Sequence, residues 1–405
     1  MVIDNVQIGG FANIHDVRLA LDDVTVLIAP NGYGKSNVLR ALEFGSRFLT
    51  ASEMEREKMM ASESEMPINR TMLRQDFRME ICGRSDDVKF EYGFSFKWSY
   101  DDEKGAITGE WLRMKQEERK FRQVMLRKAQ DTYLYLSSPS GRCSSSEQVN
   151  RCQLALQKMA QDEGLFYAKT VKDLAGTVFP QLDTLDNPEV YFSADNTKGI
   201  ELLGGQTLSG YLFRLSEQNS LVYSVLKSGI RQLVPHITRF EPQEIVLADG
   251  RTRLYDIVVE ERNSAYPTSV RQISSGSKRL VLLITLCVAA REKGLPLLMI
   301  EEPENSVHPR LLENLLLALH DYAGETKVLL TSHSPYLMRY MRACQMYFGL
   351  PSDEDVACFA RLKETKVKTV TKYASAMELT VGEYMFDFML DLEQEKDKVL
   401  SFFEM

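Results

Sequence analysis

A chain of 405 residues, with 44% hydrophobic and 26% charged positions, can bury a large core without disulfides or metal staples. Its 49 Lys and Arg against 57 Asp and Glu leave a formal charge of −8, which excludes coating of nucleic acid by bulk charge and confines any such contact to local basic patches. The longest apolar run, Leu280 to Ala290, falls short of the ~20 residues of a spanning helix, and the N-terminus MVIDNVQIGG has neither the basic nor the apolar region of a secretory signal.

Weak alternation of Val2, Ile3, Val6 and Ile8 predicts a strand over 2–8. Phe11 to Val17 turns the chain, and VTVLI (24–28) is a β-branched run that fits a buried strand. A glycine loop and a helix starting near Ser36 follow. Residues 51–66 are polar, Met-rich and aperiodic, and read as a surface excursion. FRMEIC (77–82), VKFEYGFSFKW (88–98) and GEWLRM (109–114), separated by the turn signals SDD and DDEKG, predict an antiparallel sheet within 76–135. Residues 138–151 read as a loop, with helical patterns at 150–162 and 209–235 and strand signals at 244–261 around a turn at Asp249-Gly250.

After Ser274 the pattern becomes strongly α/β. An apolar helix covers 276–292, LPLLMI (295–300) is a buried strand, a Leu-rich helix covers 310–322, and VLLTS (328–332) is another buried strand. The last 70 residues are short mixed elements ending in an acidic helix. Six cysteines form no CxxC, Cys287 lies inside the apolar helix, and the five histidines include no HExxH. This usage fits reduced thiols in the cytoplasm better than a disulfide framework or a zinc site. No internal repeat is visible.

Four motifs carry chemistry. Ala29-Pro30-Asn31-Gly32-Tyr33-Gly34-Lys35-Ser36 lies between a predicted strand and a predicted helix, the context of a phosphate-binding loop. Its glycines let backbone N–H groups converge on a β-phosphate at the helix N-terminus. Lys35 would reach the β- and γ-phosphates and Ser36 would ligate Mg²⁺. Ala29 stands where the GxxxxGK[ST] pattern has its first glycine. In Leu297-Leu298-Met299-Ile300-Glu301-Glu302-Pro303-Glu304-Asn305 a buried strand runs into two carboxylates at the sheet edge where α/β proteins hold ligands. Glu301 would hold Mg²⁺ and Glu302 would polarise the attacking water; a charged strand end before a proline turn is the plainer reading.

Thr331-Ser332-His333-Ser334-Pro335 places His333 at another strand end, where it can sense a γ-phosphate or serve as a satisfied structural histidine. Ile273-Ser274-Ser275-Gly276-Ser277-Lys278-Arg279 opens the apolar helix either as a simple N-cap or as a second anion site. The four occur in a fixed order, and the interval from 301 to 333 fits one helix between adjacent strands.

This arrangement resembles ABC-type ATPases of the RecF, SMC and OLD kind, and in particular the stand-alone AAA-family ATPases of bacteria with GxNGxGKS, an LSxGxxR-like signature, (I/L)(D/E)EPEN-xx-HP and TSHSP. The match covers about 1–50 and 245–345; the middle matches only in character. The resemblance implies an α/β fold: an ABC-ATPase head, with a mixed core sheet flanked by helices, an antiparallel β arm and an inserted helical lid. The N-terminal part of the head with its arm would be 1–110, the inserted arm and lid 111–243, the C-terminal part of the head 244–350, and a mixed segment for partner docking 351–405.

Asn31, Gly32, Tyr33, Gly34, Lys35, Ser36 and Asn37 match the Walker A loop. Glu301 and Glu302 match the Walker B acid and catalytic glutamate, 305–309 the D-loop, and His333 the switch histidine. Ser274, Ser275, Gly276 and Ser277 match the signature, which in such proteins contacts the γ-phosphate bound by the opposite protomer. ATP with Mg²⁺ would then join two copies in an isologous dimer, or a larger homo-oligomer. Gln75 is the candidate for the Q-loop. Ala12 replaces a basic residue, Ser277 the signature glutamine and Glu301 the more usual aspartate, which suggests a slow switch.

The 72 residues after His333 leave little room for a Toprim nuclease of roughly a hundred residues, and Asp353-Glu354-Asp355 precedes a predicted strand instead of ending one. The fewer than 240 residues between Ser36 and Ser274 are mostly not heptads, unlike chromosome-looping proteins. Arg113 to Lys128 carries seven basic residues against Glu117 and Glu118, a surface for DNA or an acidic partner, or simply a solvated face. The tail from Glu393, with Leu400, Phe402 and Phe403, would dock a partner or pack back on the core. Two function classes follow: a regulatory ATPase of a bacterial anti-phage system, like the ATPase subunits of PARIS-, Septu- and some retron-like systems, holding a separate nuclease or toxin; and a RecF-like DNA-repair clamp. A transporter-type ATPase is the weaker third, since nothing points to a membrane partner.

Overall fold

The computed structural model describes residues 1–61, 75–100, 103–116, 119–128, 131–182, 189–192, 201–249, 251–305, 307–352, 354–390 and 400–404. The N-terminal alternation forms β1 (Val2–Gly9), paired antiparallel with β2 (Val17–Ala20). β3 (Val24–Ile28) is buried at all five positions, as a strand covered on both faces must be, and the glycine loop after it leads into α1 (Lys35–Thr50).

Where the sequence suggests an excursion, residues 53–60 form α2 (Glu53–Met60); residues 62–66 lie outside the described residues. The helix is held by a capping box, with Ser52 and Glu55 serving each other's backbone N–H. It is also held by fully buried Arg56, whose guanidinium donates to the carbonyls of Phe48, Leu49, Ala51 and Cys152.

β4 (Phe77–Ser85), β5 (Val88–Lys97), β6 (Ala106–Gln116), β7 (Arg122–Arg127), β8 (Thr132–Leu136) and β9 (Cys143–Gln148) complete an antiparallel sheet ordered β2-β1-β4-β5-β6-β7-β8-β9. β9 replaces part of the loop expected at 138–151: its CSSSEQ has no β-branched residue, but it closes the sheet edge against β8. The expected division at 110/111 falls inside β6, whose pairing continues through β7 to β9. Glu110 is fully buried and accepts from Tyr92 Oη and from the N–H groups of Ala155 and Leu156. Burial pushes its pKa up against those donors.

α3 (Ala155–Met159), α4 (Ala168–Ala175), β10 (Gln181–Leu182) and α5 (Glu189–Phe192) follow. The single helical pattern at 209–235 is two helices, α6 (Leu208–Gln218) and α7 (Ser220–Leu233), because Asn219 leaves helical geometry and caps the second by accepting from Val222 N–H. β11 (Ile237–Val246), which begins earlier than expected, pairs with β12 (Arg253–Glu261), and β13 (Thr268–Ser269) completes a three-stranded sheet.

The alternating α/β segment forms as its pattern predicts, with α8 (Ser275–Glu292), β14 (Leu297–Glu301), α9 (Leu312–Ala323) and β15 (Lys327–Ser332); the mixed segment after it holds α10 (Pro335–Met338), β16 (Met346–Leu350), β17 (Cys358–Ala360), α11 (Glu364–Ala376) and α12 (Val381–Leu390), and the acidic stretch over 391–399 lies outside the described residues. The six-stranded sheet runs β10-β14-β15-β3-β16-β17 and divides the core. Leu27, Leu297, Met299 and Leu329 pack toward α1 and the antiparallel sheet. Val26, Ile28, Leu298, Ile300, Val328 and Leu330 pack toward α6 to α9. Of the two readings of the tail, residues 400–404 follow the second: Phe403 is buried against Phe348, and Leu362 bridges to it. Among the described residues no helix is long and apolar enough to cross a membrane.

Candidate functional site

β14, β15, β3 and β16 run parallel. Glu301 stands in register with Thr331, and Thr331 and Ser332 with Leu27 and Ile28. The loop after β3, the turn after β14 and the turn after β15 therefore leave one carboxyl edge side by side, the edge where open α/β sheets hold ligands.

The loop after β3 forms a cradle. Gly32 (φ 86°) and Gly34 (φ 91°) take the left-handed conformation, and open space lies beside Gly32. Gly34 is the N-cap of α1 and no side chain caps that end, so its first-turn N–H groups stay available to an anion. A Cβ on Gly34 would sit 2.8 Å from Asn13 Oδ1, so only glycine fits. Asn13 in turn accepts from Asn37 Nδ2 at 2.8 Å and takes the Ala357 N–H on its carbonyl. Asn31, Gly32 and Ser36 are exposed, while Tyr33 is half-buried. Lys35 is 7% exposed, and its Nζ donates to Ala29 O at 2.6 Å and Pro30 O at 3.1 Å. Burial lowers its pKa while Glu302, Glu304 and Glu301 oppose that shift, so the three acids face this ammonium. A free helix end, an αL glycine and a buried lysine together fit a bound phosphate chain.

Glu302 follows β14 with φ 43°, a conformation rare for a residue with a Cβ. It persists because the turn is over-determined. Its N–H donates to Thr331 O at 3.1 Å, and its carbonyl accepts from Arg279. His333 Nδ1 lies 3.0 Å from its Oε1, and Asn305 Nδ2 donates to its Oε2 at 2.9 Å. Alongside, Ser332 Oγ donates to buried Glu304 and accepts the Ser334 N–H at 3.0 Å, fixing the backbone on both sides of His333. Burial pushes the Glu304 carboxyl up, and its Oε2 is buried without a partner. Glu304 and Ser332 lie inside two of the motifs, but the sequence assigns neither a role.

Glu301 Oε1 accepts from Gln181 Nε2 at 3.0 Å. Gln181 lies on β10 beside the acid strand, whereas Gln75, the Q-loop candidate, donates to His15 O on the antiparallel sheet's side of the molecule. Among the described residues, Gln181 is thus the glutamine that hydrogen-bonds Glu301.

Ser274 caps α8: its Oγ accepts the Ser277 N–H and lies 2.9 Å from Ser277 Oγ. His236 Nε2 stands 3.4 Å from that second hydroxyl and 3.3 Å from Glu261 Oε1. Among the described residues no hydrogen bond joins Ser274, Ser275 or Gly276 to the phosphate loop of the same chain; α8 reaches the site through Arg279 instead. The basic stretch at 113–128 is not one patch. Arg127 is buried and donates to Gln153 O and Asn150 O, Arg122 holds the carbonyls of Pro139 and Gly141, and Arg113 pairs with Glu91.

A parallel sheet with a glycine cradle after its central strand, paired acids after one neighbour and a histidine after the same acids' partner strand defines an ABC-type ATPase head. Residues 24–339 match the family described as "AAA domain, putative AbiEii toxin, Type IV TA system", and the chain belongs to that family. Among solved structures it is similar to an SMC head bound to the C-terminal winged-helix domain of ScpA, with TM-score 0.50 and 13% identity over 90% of this chain and 99% of the other. It also matches the SMC head domain from Thermotoga maritima at TM-score 0.42 and 14% identity, covering 90% and 100% of the two chains. A Pyrococcus furiosus SMC head with an extended coiled coil, bound to the C-terminal domain of ScpA, matches at TM-score 0.43 and 12% identity over 92% and 99%. At 13% identity the likeness to the first of these shows the fold alone. No curated protein sequence matches the chain.

Proposed function

We propose that the chain is a slow, Mg²⁺-dependent ATPase of the cytoplasm whose two copies close around ATP, and that it thereby controls a separate nuclease or toxin in anti-phage defence. The observation that carries the ATPase reading is the grip on Glu302 by His333 and Asn305 at the same sheet edge as Lys35. Lys35 would leave its two loop carbonyls for the β- and γ-phosphates. Exposed Ser36 and half-buried Glu301, the latter oriented by Gln181, would hold Mg²⁺, which would supply charge neutralisation of the phosphates. Glu302 would accept a proton from water while His333 senses the γ-phosphate. Both Glu302 carboxylate oxygens are already engaged, so turning the base toward water costs a hydrogen bond. That cost supports a slow switch.

Ser274, Ser275 and Gly276, free of the phosphate loop in their own chain, would complete the site of the second copy. The family description names a toxin of a toxin–antitoxin system, and a head of similar fold carries a separate protein domain. Both support an output through a protein partner docked on the 351–405 segment or elsewhere. The test is the mass of the wild-type protein in solution: dimer or larger with ATP and Mg²⁺, monomer with ADP. A monomer under both conditions removes the shared-site reading. Ser332→Ala offers a second test. It removes one hydroxyl from a fully buried position, frees the His333 backbone, and is expected to lower kcat about tenfold at unchanged ATP affinity, as lost positioning does; steady-state hydrolysis against nucleotide titration reads it.

A further inference from the structure

Strand register places three cations in one transverse row on the outer face of the eight-stranded sheet. Arg84 on β4 stands opposite Lys89 on β5, and Lys89 opposite Lys115 on β6. Register partners share a face about 5 Å apart, and like charges directly opposite destabilise a sheet. Among the described residues the nearby acids do not pair with the row, and Glu117 and Glu118 lie outside them. Glu91, one outward row along, pairs with Arg113, and Asp86 in the β4–β5 turn pairs with Lys169. Asp87 of that turn stays exposed at one end. Among the described residues Arg84, Lys89 and Lys115 make no ion pair, and Lys115 Nζ rests 4.8 Å from the Phe121 ring. On a chain of charge −8 such a row is a local positive site open to an anion.

Two outward rows further, Gly93, Trp111, Leu126 and Leu134 stand in register across four strands. The indole fills the space above Gly93, where a Cβ would meet it at 2.8 Å. The Arg113 guanidinium lies 5.3 Å from the indole ring, and Leu134 is exposed. The face thus carries a cationic row, then the Glu91–Arg113 pair, then a row of Glu80, Gly93, Trp111, Leu126 and Leu134, about 7 Å apart along the strands.

We propose that this outer face binds single-stranded nucleic acid, with Arg84, Lys89 and Lys115 on the phosphates and Trp111 with Arg113 on a base. A single strand offers phosphates and open base faces together. A duplex hides its base faces, and an acidic peptide leaves the indole unused. The opposite face of the same strands packs on the helix that begins at Lys35: Phe94 and Phe96 stack on Phe48, with ring centroids 5.4 and 4.6 Å away. A strand bound outside is therefore one packed layer from α1. This inference stands on the sheet alone and is independent of ATP hydrolysis.

The test uses the full chain with deoxythymidine and uridine oligonucleotides of about 20 residues, a duplex of equal length and polyglutamate, titrated at about 50 and 200 mM salt. The chain has two tryptophans and Trp98 is buried, so quenching on binding reports Trp111. Both single strands, or one of them if the sugar is read, are expected to bind and quench. Lys89→Ser with Lys115→Ser is expected to weaken binding at least tenfold and to shallow the slope of log K on log salt by about 1.4. The same double variant should melt higher than wild type, since it relieves the repulsion, and that separates lost binding from lost folding. Trp111→Leu is expected to weaken binding about tenfold with the salt slope unchanged. Absence of single-strand binding at the lower salt, binding indifferent to these substitutions, or equal binding of duplex or polyglutamate each overturns the proposal.

Discussion

Lys35→Ala is expected to abolish nucleotide binding, a loss of at least about 100-fold in affinity. The estimate follows from two charge-assisted contacts to phosphates at about 1.5–3 kcal/mol each, which together exceed the ~2.7 kcal/mol of a hundredfold change. The ammonium is already buried and desolvated and is aimed at the carbonyls of Ala29 and Pro30, so the nucleotide meets a donor whose dehydration is complete. Its removal also leaves Glu301, Glu302 and Glu304 facing one another without the cation that opposes their charge, which makes the cradle repel an anion. Arginine is no substitute, because its planar fork does not fit a point-charge position. Titration with a fluorescent ATP analogue reads the effect, alongside a melting curve to show that the variant folds. Wild-type affinity in Lys35→Ala would sink the assignment of this loop.

Residues whose chemistry demands fixed types at fixed spacing are legible in the amino-acid sequence itself. The loop from Ala29 to Asn37 and the strand ends at Glu301 and His333 each join a buried apolar run to a polar group, and a fully buried strand such as Val24–Ile28 has that pattern whatever surrounds it. The helix over 53–60 escapes the pattern although its capping box, Ser52 to Glu55, is a local signal; the low amphipathicity of EMEREKMM conceals it, since a buried Arg56 stands in for an apolar residue. β9 carries no propensity signal and exists because β8 offers an open edge. Gln181 is out of reach for another reason: its strand has two residues, too few for any period to show, and only parallel pairing with β14 brings it to Glu301. Contacts such as Ser332 to Glu304, 28 residues apart, and the Arg84–Lys89–Lys115 row depend on loop geometry and register, which hydrophobic patterning constrains to a face but not to a partner.

Glu302→Gln is expected to hold ATP and lock the dimer. Glutamine keeps the length of the side chain and one acceptor, so either His333 or Asn305 can still anchor it, and the left-handed backbone at 302 is set by its bonds to Arg279 and to the Thr331 carbonyl, not by the carboxylate. The change removes the acceptor for the water proton, and loss of a general base slows hydrolysis by about 10²- to 10⁴-fold. Binding would survive, because Lys35, the loop amides and Ser36 are untouched. Nucleotide that is bound and not consumed stabilises the state that binds it, by about 2.7 kcal/mol at a hundredfold excess over Kd, so the variant should melt higher with ATP and keep that rise over hours in which the wild type converts its ATP to ADP. If two copies share the nucleotide through Ser274 to Gly276, its mass should also double with ATP and stay doubled over hours in which the wild type returns to monomer. Unchanged turnover in Glu302→Gln would remove the residue from the chemistry. A slow variant that remains monomeric with ATP would keep the chemistry and reject the shared site, because a nucleotide held within one chain has no reason to recruit a second.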